Sequence, residues 1–271
     1  MNWLKDKNGI FVHDFNAKIS YPAEGNEDCF KLEDNSLWFI QRNDLILNLI
    51  NKHHIDGNFL DIGGGNGFQA KAIIKSNFNG RVFICEPGYE GCLNAKKRGI
   101  ENVFNGIFEN FPFSENAISV VGLFDVIEHI EDDIKFLNEL YERLNVNSYV
   151  LINVPALKCL WSDVDQFAGH FRRYNKSDIK RFRENTNFEI IDFGYFFSQY
   201  VLPLFFLRVL PYRLRLNRPF KNSMQKETNN HKTTNKFKKV LNHLHKNQLS
   251  KVLKDEKIMI GSSIYMVLKK N

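Results

Sequence analysis

At 271 residues, 43% of them hydrophobic and 25 of them Phe, the chain can bury one substantial α/β core but cannot supply two large domains. A net charge of +6 and a pI near 9.0 suit an anionic partner such as phospholipid, a phosphorylated small molecule or nucleic acid, although the excess lies mainly between Arg213 and Lys254. Four Cys without CxxC or Cys/His spacing exclude a metal site or disulfide framework legible from spacing, and they fit a reducing cytoplasm.

In chain order, residues 1–34 read as an irregular segment, and their mixed start lacks the apolar stretch of a signal peptide. Residues 35–271 read as one domain. A helix over 35–51 buries Leu37, Ile40, Leu45 and Leu49. Strand and helix then alternate: strands at 58–62, 81–85, 103–104, 118–124 and 149–154, helices at 68–76, 89–98 and 132–144. The run 118–124 is almost wholly apolar, as a parallel strand covered on both faces should be. This alternation predicts a mostly parallel sheet with helices on both faces and a ligand site at the carboxyl ends of the strands. Beyond Pro155 come a polar loop over 161–174, a helix over 176–185, a strand over 188–193 and a last strand over 261–268. A helical, basic insertion occupies about 195–256. Its apolar part, 195–210, is interrupted by Gln199, Pro203 and Arg208, so it is too short and broken to span a bilayer.

The first chemical signal is Asp61-Ile62-Gly63-Gly64-Gly65-Asn66-Gly67, an apolar strand running into glycines that open a helix. Bare backbone there lets a ligand approach closely. Asp61 ahead of the turn would oppose a pyrophosphate and would suit a cationic amine, and Phe68 replaces the third glycine of the dinucleotide fingerprint. Glu86-Pro87 closes the second strand, where a carboxylate can accept both hydroxyls of a ribose.

Asp61, Gly63, Gly65 and Gly67 match the DxGxGxG motif, and with Glu86 the chain resembles the class I S-adenosylmethionine-dependent methyltransferases over about residues 35–157. The resemblance implies a Rossmann-like fold whose seven-stranded sheet ends in an antiparallel strand. It implies S-adenosyl-L-methionine as cofactor, with the glycine loop on its methionine part, Glu86 on the ribose, and Pro87 beside it. The adenine would lie near Phe108, where Ile107 replaces the family's common Asp and Glu109 is a possible substitute. Asp125, in Asp125-Val126-Ile127-Glu128-His129, would face the cofactor or acceptor, and His129 reads as a structural helix-start residue.

Two further segments resemble a subgroup often encoded beside glycosyltransferases and polysaccharide-assembly genes. In Trp38-Phe39-Ile40-Gln41-Arg42, Trp38 and Arg42 share a helix face, and Arg42 could reach the cofactor carboxylate. In Gly169-His170-Phe171-Arg172-Arg173-Tyr174, His170 could take a proton from a nucleophile, while Arg172, Arg173 and Tyr174 would bind the acceptor. Asp163, Asp165, His170 and the two arginines could instead form a self-satisfied network that pins the loop. The expected activity is methyl transfer to an O or N atom of a small molecule, sugar or lipid-linked saccharide precursor, with no metal. An isoprenoid quinone is the alternative acceptor, and an RNA-modifying or nucleic-acid-binding protein the alternative class. An apolar segment at 195–215 beside basic residues would suit a peripheral membrane contact, or a lid or dimer surface packed on the sheet.

Overall fold

The computed structural model describes residues 3–13, 30–216 and 235–271. One mixed sheet carries nine strands, β1 (Leu4–Lys5), β2 (Phe11–Val12), β3 (Asn58–Ile62), β4 (Val82–Glu86), β5 (Asn102–Asn105), β6 (Ile118–Phe124), β7 (Tyr149–Pro155), β8 (Glu189–Phe196) and β9 (Ser263–Lys269), in the order β1-β2-β5-β4-β3-β6-β7-β9-β8. Strands β2 to β7 pair in parallel, whereas β9 runs antiparallel between β7 and β8. From β3 the chain builds outward through β4 and β5, then returns to place β6 on the other side of β3. That reversal opens a crevice between the carboxyl ends of β3 and β6.

Side-chain alternation along the strands sorts the core onto two faces. On one face Phe59, Ile84 and Val120 pack beneath the helices α1 (Leu37–Lys52), α2 (Phe68–Lys75) and α3 (Tyr89–Lys97). On the other, Leu60, Phe83 and Val121 meet the helix α4 (Asp133–Arg143) and, two elements later, α6 (Lys176–Asn185). Between those two helices lies the short helix α5 (Asp163–Ala168).

Two expectations change. The start of the chain contributes β1 and β2, giving nine strands instead of seven, because Phe11 stacks on Phe104 of β5 at 4.6 Å and Trp3 meets the same ring edge-on. The segment 161–174 is not all loop. Ser162 and Asp165 form a capping box that nucleates α5, and Gly169, at φ 76°, ends it. Of the expected irregular segment, residues 14–29 lie outside the described residues, as do residues 217–234 of the insertion. The described part of the insertion is helical, including α7 (Asn235–Leu253), which packs against α1 through the His245–Asp44 contact at 3.0 Å and the Asn242–Gln41 contact at 3.1 Å.

Phe59 is fully buried at the sheet centre and touches the rings of Phe78 and Phe124. Phe59→Ala is expected to cost about 3–5 kcal/mol in urea unfolding. A loss under 1 kcal/mol would mean that the site collapses around the missing ring.

Candidate functional site

The glycine turn after β3 needs its glycines for different reasons. Gly63, Gly65 and Gly67 adopt φ 65°, 49° and 74°, a left-handed conformation that side chains disfavour. A Cβ on Gly64 would stand 3.0 Å from the Asp61 carboxylate and from Ile84, and one on Gly63 would stand 3.0 Å from Val126 across the crevice. At Gly65, among the described residues, an added Cβ would meet only the Gly63 carbonyl at 4.0 Å, so they leave that face of the turn open.

Two buried carboxylates flank the turn. Glu86 accepts the backbone N–H of Gly65 at 2.9 Å and that of Gly88 at 2.7 Å, tying the end of β4 to the turn. Burial raises its pKa against those two hydrogen bonds. Each of its oxygens keeps a lone pair for a further donor. Asp61 is buried, and among the described residues its Oδ2 has no hydrogen-bond partner. Burial pushes its pKa up to about 8, opposed by Arg42 and reinforced by Glu86.

Arg42 enters this acidic setting from α1. Its guanidinium is buried, lies 4.7 Å from the Trp38 ring and 5.2 Å from the Phe39 ring, and forms an ion pair with Asp125. The sequence places Trp38 and Arg42 on one helix face, and the stacking follows from that. Asp125 sits just past β6 at φ 58°, its N–H donating to the Asn153 carbonyl at 2.8 Å. Burial raises its pKa, with Arg42 and His170 opposing. Three residues on, Glu128 has no exposed surface, and among the described residues neither of its carboxylate oxygens has a partner.

The segment after β7 closes over this edge. Asp165 accepts from the backbone N–H of Ser162 at 2.9 Å, from Arg173 Nε at 2.7 Å and faces His170 Nδ1 at 3.0 Å. Burial raises the pKa of Asp165, but the hydrogen bonds from His170 and Arg173 outweigh it and hold the carboxyl below its usual range. Arg173 also donates to the Ala156 carbonyl at 3.1 Å. Phe171 N–H donates to the Glu128 carbonyl at 2.7 Å, joining the segment to the loop after β6. A second acidic centre, Asp133, receives Arg181 through two contacts of 2.7 Å, Tyr174 Oη at 3.0 Å and Arg172 at 3.0 Å.

The expected donor-side residues Asp61, Gly63, Gly65, Glu86, Arg42 and Asp125 thus converge at the β3–β6 crevice, with Pro87 half-buried beside Glu86. The Phe108 ring points into the core against Phe136 at 4.4 Å, so only its backbone remains for an adenine. On the acceptor side, Tyr174 has no exposed surface and Arg173 is buried on Asp165. These two pin the loop instead of meeting an acceptor, because Asp133 and Asp165 offer their polar ends buried partners. His170 is half-buried, and Arg172 keeps some exposure. Asp165 stands in the network with His170 and Arg173 that the sequence offered as the alternative for this loop, whereas the anchoring role of Asp133 was missed.

A profile described as a methyltransferase domain matches residues 36–192, more than half of the chain. A protein of Mycolicibacterium smegmatis named "probable S-adenosylmethionine-dependent methyltransferase" is 22% identical over 63% of this chain, which spans 66% of that protein's length. Among solved structures, phosphoethanolamine N-methyltransferase 2 of Haemonchus contortus in complex with S-adenosyl-L-methionine aligns with TM-score 0.54 and 18% identity over 93% of this chain and 58% of its own. The plantazolicin methyltransferase BpumL in complex with SAH aligns with TM-score 0.53 and 15% identity, covering 92% of this chain and 89% of its own. At these identities the structural likeness is one of fold.

A carboxyl group with a raised pKa keeps in the folded state a proton that the unfolded chain releases. Asp61 therefore destabilises the ligand-free fold increasingly as pH rises from the ordinary carboxylate range to about 8. Asp61→Asn is expected to raise Tm in scanning calorimetry, by more near pH 8 than at about pH 5. An unchanged difference between the two pH values would contradict an unsatisfied carboxylate there.

Proposed function

The chain belongs to the methyltransferase-domain family, and on that premise we propose that it transfers the methyl group of S-adenosylmethionine to an oxygen or nitrogen of a small molecule, sugar or lipid-linked saccharide precursor. The observation that carries this reading is the orphaned Asp61 Oδ2 beside a glycine turn whose outer face is open. A buried carboxylate oxygen without a donor fits the ammonium of the cofactor's methionine part. Glu86, fixed by the N–H groups of Gly65 and Gly88, would take the ribose hydroxyls, with Pro87 beside them, and the Phe108 backbone would flank the adenine. Arg42 would hold the cofactor carboxylate while Asp125 orients its guanidinium.

The cofactor supplies a methyl carbon already made electrophilic by the sulfonium, so the chain's task is mainly to align an acceptor and exclude water. His170 fits the acceptor side. If Asp165 accepts the proton of Nδ1, the Nε2 lone pair of His170 is left available, and Arg172 stands at the same rim. A lipid-linked acceptor, whether saccharide or quinone, draws support from one further feature. Leu202, Phe206, Leu207, Leu214 and Leu216 are exposed beside Arg213 and Arg215, a pairing suited to an anionic membrane surface. No helix among the described residues is long and apolar enough to cross a membrane.

Glu86→Ala should weaken S-adenosylhomocysteine binding by at least about tenfold in titration calorimetry, the effect of losing hydrogen bonds to a charged group. Unchanged affinity would remove the ribose assignment. His170→Ala should lower turnover by about 100-fold or more while that affinity stays the same. Full activity in the variant would return His170 to a purely structural place.

A further inference from the structure

Three side chains from two loops meet where no sequence spacing foretells it. A carboxylate oxygen of Glu128 and one ring nitrogen each of His129 and His170 all lie within 4.8 Å of one another. The imidazoles of His129 and His170 stand 4.7 Å apart, edge to face. Glu128 comes from the turn after β6 and His170 from the end of α5, so only the closure of the segment after β7 assembles the group.

A second observation points to a ligand. Glu128 is wholly buried, and among the described residues neither of its carboxylate oxygens has a side-chain or backbone partner in hydrogen-bond geometry, nor does the buried His129 Nδ1. Glu128, His129 and His170 each bring one possible ligand atom to the same small space, and a cation there would be their common neighbour. The Asp165 carboxylate at His170 Nδ1 can hold that ring in the tautomer whose Nε2 is a donor of electrons, the carboxylate–histidine arrangement that commonly backs a metal ligand.

We propose that Glu128, His129 and His170 bind a first-row divalent metal ion of the kind that accepts imidazole together with carboxylate, such as Mn²⁺, Fe²⁺, Co²⁺ or Zn²⁺. Two imidazoles and one carboxylate leave coordination positions for an outside oxygen, and two imidazole donors disfavour Mg²⁺ and Ca²⁺. The metal site stands on its own geometry, whereas its role rests on the methyltransferase reading. In that role the ion takes an acceptor hydroxyl and lowers its pKa. The O–H bond breaks with the proton passing to water, an oxygen lone pair forms the new O–CH₃ bond, and the C–S electron pair returns to sulfur. His170 then acts through the ion and does not itself receive the proton. The acceptor class narrows accordingly to hydroxyl compounds.

The test uses the full chain, stripped with EDTA and titrated with Co²⁺, with visible absorption and elemental analysis as readouts. One Co²⁺ per chain with a d–d band is expected. Glu128→Gln, which keeps the buried shape, and His129→Ala should each weaken Co²⁺ binding at least about tenfold. His170→Ala, on a half-buried loop, should do the same while S-adenosylhomocysteine affinity is unchanged, which separates a lost ligand from a lost fold. Absence of stoichiometric Co²⁺ in the wild type, or equal binding by His170→Ala, overturns the site. If Co²⁺ binds as expected and S-adenosylhomocysteine does not, the donor reading fails and the metal site remains.

Discussion

The carboxyl edge of the sheet is governed by a surplus of carboxyl groups drawn out of water. Asp61, Glu86 and Glu128 are buried and Asp125 is half-buried where the loops after β3, β4 and β6 face one another, and burying a carboxylate is costly unless it is paired. The fold answers each differently. Glu86 takes two backbone N–H groups, and Asp125 takes the guanidinium of Arg42. Asp61 and Glu128 retain oxygens without partners. The protein alone therefore does not complete the electrostatics of this edge, and a cationic ligand group at Asp61 would do so on the donor side.

The acceptor side obeys the opposite logic. Asp165 and Asp133 gather their cations from the segment after β7 and from α6, and each is held below its usual pKa because those partners outweigh the effect of burial. Arg173 and Tyr174 are spent on these anchors. A rigid seam results, running from Ala156 through α5 to α6, and it fixes where His170 can stand. The unsatisfied edge is the one that would receive ligands, and the saturated seam would set the geometry in which they meet.

The donor half was legible because its signals are local. Glycines that must adopt positive φ, an acid at a strand end and an aromatic–arginine pair one helical turn apart all declare themselves within a few residues. The ion pair of Arg42 with Asp125 joins a helix to the far side of the crevice, and no local period reports such a contact. The same holds for Glu128, His129 and His170, whose spacing matches no ligand motif and whose meeting depends on two loops closing together. Tyr174, expected at the acceptor from the resemblance of its segment, is instead fully buried because Asp133 on α4, 41 residues away in sequence, gives its hydroxyl a partner. Strands of two residues, β1 and β2, are too short for alternation to reveal. They are held by the rings of Phe11 and Trp3 on Phe104.

The place where β8 hands over to β9 bears on how this protein can diversify. Phe196 and Ser263 are register partners on adjacent strands, and the returning backbone passes so near that a Cβ on Gly261 would fall 2.1 Å from the Phe196 carbonyl oxygen. Everything between leaves and rejoins the sheet at one gate. The entropy of closing such an excursion grows only with the logarithm of its length, about 0.6 kcal/mol for each doubling. Lengthening or shortening that excursion would thus leave the strand register untouched, but α7 packs on α1, the helix that carries Arg42, so change there reaches the crevice and the freedom to vary lies in the rest of the excursion.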